Sequence, residues 1–187
     1  MGGVRRRGAG SAASGLRRLW FAACVLGLCA ASSAPATDAF AAAPAQLVGR
    51  EAPDFVLKGV DGRNLRLSEF RGQVVLLNFW ARWAGDSRLA MAALDRIDAT
   101  YRRAGLVVLG ISVDDDLERS REFAVAMKVS YPILLDTGAD LGRDYRLQKM
   151  PMTLLVDRSG VIRYSNVGFK RGDDQIYVDR IRELLRE

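Results

Sequence analysis

The sequence has 187 residues, enough for one folded domain and a short additional segment. Hydrophobic residues make up 49% and charged residues 27% of the chain, a composition typical of a globular protein with a substantial core. Histidine is absent and both cysteines lie near the amino terminus, which excludes imidazole catalysis and histidine or cysteine metal ligands in the remainder of the chain.

The first 41 residues have the three-part pattern of a secretory signal peptide. Arginines lie at positions 5 to 7, 17 and 18, a charge-free apolar run covers residues 19–31, and small residues follow. The triplets 34–36 and 39–41 both fit a cleavage site, and the second is preferred. The alternative is an uncleaved anchor whose basic end stays in the cytoplasm. Both interpretations predict a periplasmic or otherwise extracytoplasmic domain at residues 42–187, which touches a membrane only through this leader if it is uncleaved.

The net charge of +6 comes mainly from the leader. Residues 42–187 carry 23 basic and 21 acidic side chains, a net charge of only +2. No basic patch with interleaved aromatic residues occurs, so nucleic-acid binding has no support. Cys24 and Cys29 both belong to the apolar part of the leader, so the predicted domain has no thiol.

The domain begins with a predicted β-hairpin. Residues 55–57 and 64–67 flank the pair Asp61-Gly62, which supplies the positive φ angles of a tight turn. The apolar run 74–79 predicts a strand buried on both faces. Apolar residues at three- and four-residue intervals from Leu89 to Tyr101 then predict an amphipathic helix that ends near Gly105.

Strands and helices continue to alternate to the end of the chain. The patterns predict strands at 106–113, 132–135, 153–156 and 161–164, and helices at 117–127, 139–145 and 174–186. The last helix places four apolar residues on or near one face: Ile176, Ile181, Leu184 and Leu185. This order predicts an α/β fold, a three-layer α/β/α sandwich with a mixed central sheet.

Several spaced blocks resemble a known family. The run 78–88, with the blocks 47–55, 110–114, 131–136 and 150–160, is similar to extracytoplasmic thioredoxin-like proteins of the TlpA/ResA type, also called redoxins. The resemblance covers nearly everything from Leu47 onward. It implies a thioredoxin-like fold and thiol–disulfide exchange by two cysteines at a helix amino terminus, where the helix dipole lowers the thiol pKa.

The chain departs from that family at the reacting positions. Ala84 and Ser87 stand where the family has its two cysteines, and Asp86 stands where it commonly has proline. Trp83, Gly85 and Arg88 are retained, whereas Ala90 and Ala92 replace the glutamate and proline often found inside the helix. The pattern predicts a degenerate member, a pseudoenzyme, with no catalytic residue, no cofactor and no metal ion.

Two polar groups could carry other chemistry. Asp86 and Ser87 form a carboxylate and hydroxyl pair, but no histidine is present to act as a base, so helix capping is the favoured interpretation. The run Asp114-Asp115-Asp116 could bind a hard cation such as calcium. A solvated helix start is favoured, because adjacent carboxylates in a turn point in different directions.

Pro151 is the most informative residue that the chain shares with the family. The resemblance implies a cis Met150–Pro151 bond beside the 84–87 turn, with the backbone of Met150 open to an extended peptide. Trp83, Gly85, Asp86, Met150 and Pro151 would then line a peptide-binding groove. The alternative is a proline that only completes a tight turn before the strand. Trp80 is interpreted as a core residue.

Three functions remain open from the sequence. The first is a redox-inactive protein of the cell envelope that binds a protein or peptide or acts as a scaffold. The second is a thiol-disulfide oxidoreductase of the TlpA/ResA type, in cytochrome c maturation or an antioxidant context. The third is a structural partner of an active paralogue.

Overall fold

The computed structural model describes residues 46–138 and 140–187. The predicted signal peptide at residues 1–41, its two cysteines and the domain boundary at residue 42 lie outside the described residues. The predicted helix 139–145 begins at the undescribed residue 139.

A seven-stranded mixed sheet forms the centre of the domain, in the order β2-β1-β5-β4-β3-β6-β7. The central strand β3 pairs in parallel with β4 and antiparallel with β6, and β1 pairs antiparallel with β2 and β5. The strands are β1 (Val56–Gly59), β2 (Asn64–Arg66), β3 (Val74–Trp80), β4 (Leu106–Ser112), β5 (Ile133–Leu135), β6 (Met152–Val156) and β7 (Ile162–Val167).

In the described part of the chain, four α-helices accompany the sheet: α1 (Asp86–Tyr101), α2 (Leu117–Met127), α3 (Asp140–Asp144) and α4 (Asp173–Arg186). Short 3-10 segments at Leu67–Phe70 and Arg102–Ala104 follow β2 and α1. Gly105 ends the second of these in the left-handed conformation, at φ +99°, which its lack of a Cβ permits. Within the described part of the chain, no helix has the length and apolar character needed to cross a bilayer.

Apolar residues of β3 alternate between two cores, because successive side chains of a strand point to opposite faces. On one face Trp80 stacks on Phe123 of α2, with ring centroids 5.3 Å apart, and packs with the buried residues of α1 and α4. On the other face Phe79 contacts Tyr145, with ring centroids 4.9 Å apart, next to α3 and the hairpin. The two cores make the three layers of an α/β/α sandwich, and the predicted fold class is confirmed.

Most predicted elements are confirmed, with bounds that differ by up to three residues, and two of the differences are informative. Strand β7 continues to Val167, beyond the predicted residue 164. The prediction ended too early because the polar residues Ser165 and Asn166, which are buried in the structure, resemble the end of a strand in the sequence. In α4, the buried face includes Tyr177, whose hydroxyl accepts a hydrogen bond of 2.9 Å from Asn166 Nδ2. Polar groups that are paired inside the fold resemble surface residues in a hydrophobicity pattern.

Gly110 is packed so closely that a side chain would have to displace its neighbours. A Cβ at this position would lie 2.6 Å from Ile133 Cδ1 and 3.0 Å from Tyr131 Cε2. We expect Gly110→Ala to lower the free energy of unfolding by about 2 kcal/mol through overpacking. Gly142→Ala is the control, because a Cβ there meets nothing within 4 Å and the residue lies in α3. Equal unfolding midpoints in urea for the two variants would contradict the prediction.

Candidate functional site

The turn between β3 and α1 contains the positions that hold the cysteines in the resembling family. The Ala84 N–H donates to the Ala81 carbonyl at 3.2 Å, and the Ser87 N–H donates to the Ala84 carbonyl at 2.9 Å. These two bonds coil the chain tightly at the start of α1. Ala84 is 9% exposed and Ser87 is fully buried, so neither side chain is presented to solvent as a reacting group.

The capping role predicted for Asp86 and Ser87 is wrong. The N-cap residue of α1 is Gly85, and no side chain caps this helix. The Ser87 hydroxyl instead accepts a long hydrogen bond of 3.4 Å from the Ala81 N–H, and thus ties the helix to the end of β3. In a dithiol enzyme, amides at the start of such a helix stabilise the thiolate.

Trp83 is the most exposed large hydrophobic side chain in the described part of the chain, at 71%. Its neighbours Gly85 and Asp86 are also exposed. Trp80, three residues earlier, is fully buried, so its predicted place in the core is confirmed. The turn therefore presents an apolar ring to solvent above a closed core.

The Met150–Pro151 bond is cis, as expected from the resemblance. Strand β6 starts directly after it, and the pairing of Met152 with Phe79 places this loop at the edge of the sheet where β3 ends. Met150 packs in the same apolar cluster as Ala84. The structure thus brings the cis-proline loop and the 84–87 turn together, whereas use of this surface as a groove stays a prediction.

The backbone of the cis-proline loop is only partly paired. The Pro151 carbonyl accepts a hydrogen bond of 2.7 Å from the Gly168 N–H. Within residues 46–138 and 140–187, the Met150 N–H and carbonyl have no hydrogen-bond partner. On its inner side the Met150 side chain lines an open cavity of about 180 Å³, together with Val113, Asp136, Gly142 and Leu147.

Asp114 is a buried carboxylate beneath the turn, whereas the sequence predicted a solvated side chain. Its Oδ2 accepts hydrogen bonds from the Arg82 N–H at 2.9 Å and the Ser120 hydroxyl at 3.0 Å. Ser112 donates to Ser120 at 3.1 Å and completes the cluster. The Arg82 Nε lies 3.7 Å from the same carboxylate oxygen, an ion pair rather than a hydrogen bond. The cluster holds the backbone of the turn against the end of β4.

The predicted solvated helix start is therefore correct for Asp115 and Asp116 and wrong for Asp114, which is buried. Asp116 caps α2 by accepting the Arg119 N–H at 3.1 Å, and Asp115 is exposed. Asp114 is buried because it is the first polar residue after a parallel strand, at the sheet edge where functional groups commonly gather. This position after a strand is the feature of the sequence that could have indicated the burial of Asp114. In the described ranges, no group of three or more histidine, cysteine, aspartate or glutamate side chains is arranged to hold a metal ion.

The sheet order, the cis-proline loop and the turn at Trp83 define a thioredoxin-like protein. The model of the AhpC/TSA family matches residues 48–165, more than half of the chain, and the chain belongs to that family. Within it, the chain is similar to thiol-disulfide oxidoreductases of the ResA type.

Two curated relatives illustrate this similarity. The thiol-disulfide oxidoreductase ResA of Geobacillus kaustophilus (strain HTA426) is 30% identical over 138 residues, which are 74% of this chain and 79% of the relative. The thioredoxin-like protein YneN of Bacillus subtilis (strain 168) is 34% identical over 122 residues, 64% of this chain and 71% of the relative.

Solved structures agree with the fold. A protein assigned as the thiol:disulfide interchange protein DsbE of Chlorobium tepidum is 30% identical, with a TM-score of 0.71 over 74% of this chain and 97% of that one. The exposed lipoprotein thioredoxin Etrx1 of Streptococcus pneumoniae (strain TIGR4) is 26% identical, with a TM-score of 0.59 over 71% of this chain and 100% of that one.

Removal of the Asp114 carboxylate should loosen the turn and the fold together. Asp114→Ala leaves the Arg82 N–H and the Ser120 hydroxyl without their acceptor, and we expect a loss of about 3 kcal/mol in the free energy of unfolding. Asp115→Ala, which removes an exposed charge one residue away, should change it by less than about 0.5 kcal/mol. Urea unfolding of both variants measures the difference, and matching midpoints would rule out a supporting role for Asp114.

Proposed function

We propose that this chain is a redox-inactive thioredoxin-like protein that acts outside the cytoplasm and binds an extended segment of a protein partner. One observation carries the proposal: the turn and the cis-proline loop are intact, yet positions 84 and 87 hold alanine and serine. A dithiol mechanism needs a nucleophilic and a resolving sulfur at these two positions. Alanine and serine contain no sulfur and cannot take part in this exchange.

Serine at position 87 gives no substitute reaction. Its hydroxyl is buried and receives the Ala81 N–H, and the chain contains no histidine to remove its proton. Ala84 has no reacting group at all. Both residues fit the closed base of the turn, which supports a binding surface rather than an active site.

Binding is supported by what remains exposed around the turn. Trp83 offers a large rigid apolar surface, the kind of side chain that dominates binding energies at interfaces. Met150 is itself only 8% exposed. Its N–H and carbonyl have no partners among the described residues, and they can pair with an extended peptide as a neighbouring strand would. Gly85 and Asp86, which are both exposed, are the remaining residues of the candidate groove.

A thiol-disulfide oxidoreductase is the competing function, since ResA relatives carry that name. It would require sulfur from Cys24 or Cys29 in the leader or from a second protein. The pattern of the leader and the description of Etrx1 as an exposed lipoprotein support export of this chain. A leader that is cleaved would remove both of its cysteines from the exported domain.

The protein should leave the reduction of insulin by dithiothreitol at its uncatalysed rate. The test uses the full chain with Cys24→Ser and Cys29→Ser, and aggregation of the insulin B chain is followed by turbidity. Faster turbidity than in the protein-free control would contradict redox inactivity.

An Ala84→Cys/Ser87→Cys version of this chain is the positive control, and we expect it to react slowly. We expect the Asp86 carboxylate, two residues along the chain, to raise the pKa of a thiol at position 84 by like-charge repulsion. Adding Asp86→Asn should therefore speed alkylation of that thiol about twofold at neutral pH. An unchanged alkylation rate would show that the carboxylate has no such influence.

A photo-crosslinking amino acid at position 83 should capture the partner in the native envelope. The same group at Val125, which is 65% exposed on α2, is the matched control. We expect a defined adduct from position 83 in the extracytoplasmic fraction and none from position 125. Identical adduct patterns, or recovery of the chain only in the cytoplasm, would count against the proposal.

A further inference from the structure

We propose that the partner segment is acidic, and that its carboxylates pair with Lys149, Lys170 and Arg171 while one apolar side chain enters the cavity between Leu89 and Phe169. This inference rests on the proposed function, because it assigns the chemistry of the segment that the groove receives. The occupant of the groove is an extended acidic stretch of a protein.

The cations lie on two loops that meet at Pro151. Lys149 precedes the cis-proline loop residue Met150, and Lys170 and Arg171 follow Gly168, whose N–H binds the Pro151 carbonyl at 2.7 Å. All three side chains belong to exposed residues. None of them forms an ion pair within the described ranges 46–138 and 140–187. They therefore border the candidate groove as three unneutralised positive charges.

The acidic residues near these cations have other partners. Asp173 accepts the Lys170 N–H at 2.8 Å, a bond to backbone that fixes the start of α4. Asp174 lies 3.9 Å from Arg96 of α1. Asp86, an exposed carboxylate of the candidate groove, also reduces the field of the cationic rim. The four cations Lys149, Lys170, Arg171 and Arg96 still exceed these three aspartates by one charge, which favours an anionic ligand.

An open cavity includes Arg171 of this rim in its lining. It has a volume of about 340 Å³ and lies between α1 and the loop that leads into α4. Leu89, which is 45% exposed, and Phe169 give it apolar walls, and Arg171 and Arg96 stand at its border. Ala92 and Ala93 of α1 leave room for an inserted side chain. Gly172 and Asp174 complete the lining, and the Asp174 carboxylate lies 3.9 Å from Arg96. The apolar walls suit an apolar side chain, and the arginines at the border suit carboxylates on either side of it.

The test uses two short synthetic peptides that alternate valine with a charged residue around one leucine. The charged residue is glutamate in one peptide and lysine in the other, and valine favours the extended conformation. Binding to the full chain is measured by fluorescence anisotropy of the labelled peptide, and its location by the shift of the Trp83 indole N–H resonance. We expect the glutamate peptide to bind at least about tenfold more tightly and to weaken as salt rises from about 0.02 M to about 0.5 M.

Charge reversal locates the interaction. Lys170→Glu/Arg171→Glu should weaken binding of the glutamate peptide about tenfold. Lys58→Glu/Arg103→Glu is the control, because it makes the same change in net charge at two exposed cations outside the groove. That control should keep the affinity within about twofold. Thermal unfolding of each variant verifies that it is folded.

The outcomes separate the two proposals. Equal binding of both peptides with a shift at Trp83 would overturn the acidic preference and leave the proposed groove in place. Binding of neither peptide would overturn both. Binding of the glutamate peptide that is insensitive to Lys170→Glu/Arg171→Glu, or that leaves the Trp83 resonance unmoved, would overturn the assignment to this rim and cavity.

Discussion

The arrangement of the site depends on the pairing of the central strand β3 with two neighbours of opposite direction. All seven of its residues are buried, and it runs parallel to β4 but antiparallel to β6. The end of β3, the end of β4 and the start of β6 therefore meet at one edge of the sheet. This places the turn with Trp83, the carboxylate of Asp114 and the cis Met150–Pro151 bond side by side, although they are far apart in the sequence.

Local sequence patterns predicted the bounds of an element well where its capping residue and the spacing of its apolar residues indicate the same bounds. Helix α2 has both of its predicted bounds, because Asp116 caps its start and its apolar spacing is regular. The prediction was poorer for polar groups inside the fold. The run of three aspartates does not itself show which of them turns inward, and only the position of Asp114 after β4 indicated it. Its burial depends on partners supplied by Arg82 and Ser120. The same limitation hid the buried Ser165 and Asn166 of β7.

The residues of the candidate site were predictable from the resemblance, whereas the hydrogen-bond partners of their side chains were not. The positions of Ala84, Ser87 and Pro151 followed from the spacing of the blocks, and the cis bond was confirmed. The mistaken capping role of Ser87 shows the limit, because a serine at a helix start has several acceptable partners. The structure pairs it with Ala81 at the end of β3, a contact that depends on how the strand enters the turn.

The exposure of Trp83 also has a thermodynamic consequence. An indole that is 71% exposed keeps a large apolar surface in contact with water, on the order of 150 Å². Covering that surface releases about 25 cal/mol for each Å², roughly 4 kcal/mol, which corresponds to about a thousandfold in a dissociation constant. Dehydration of this ring also makes the heat-capacity change of association negative. The burial of this one side chain thus contributes a large favourable free energy to the binding of any ligand that shields it from water.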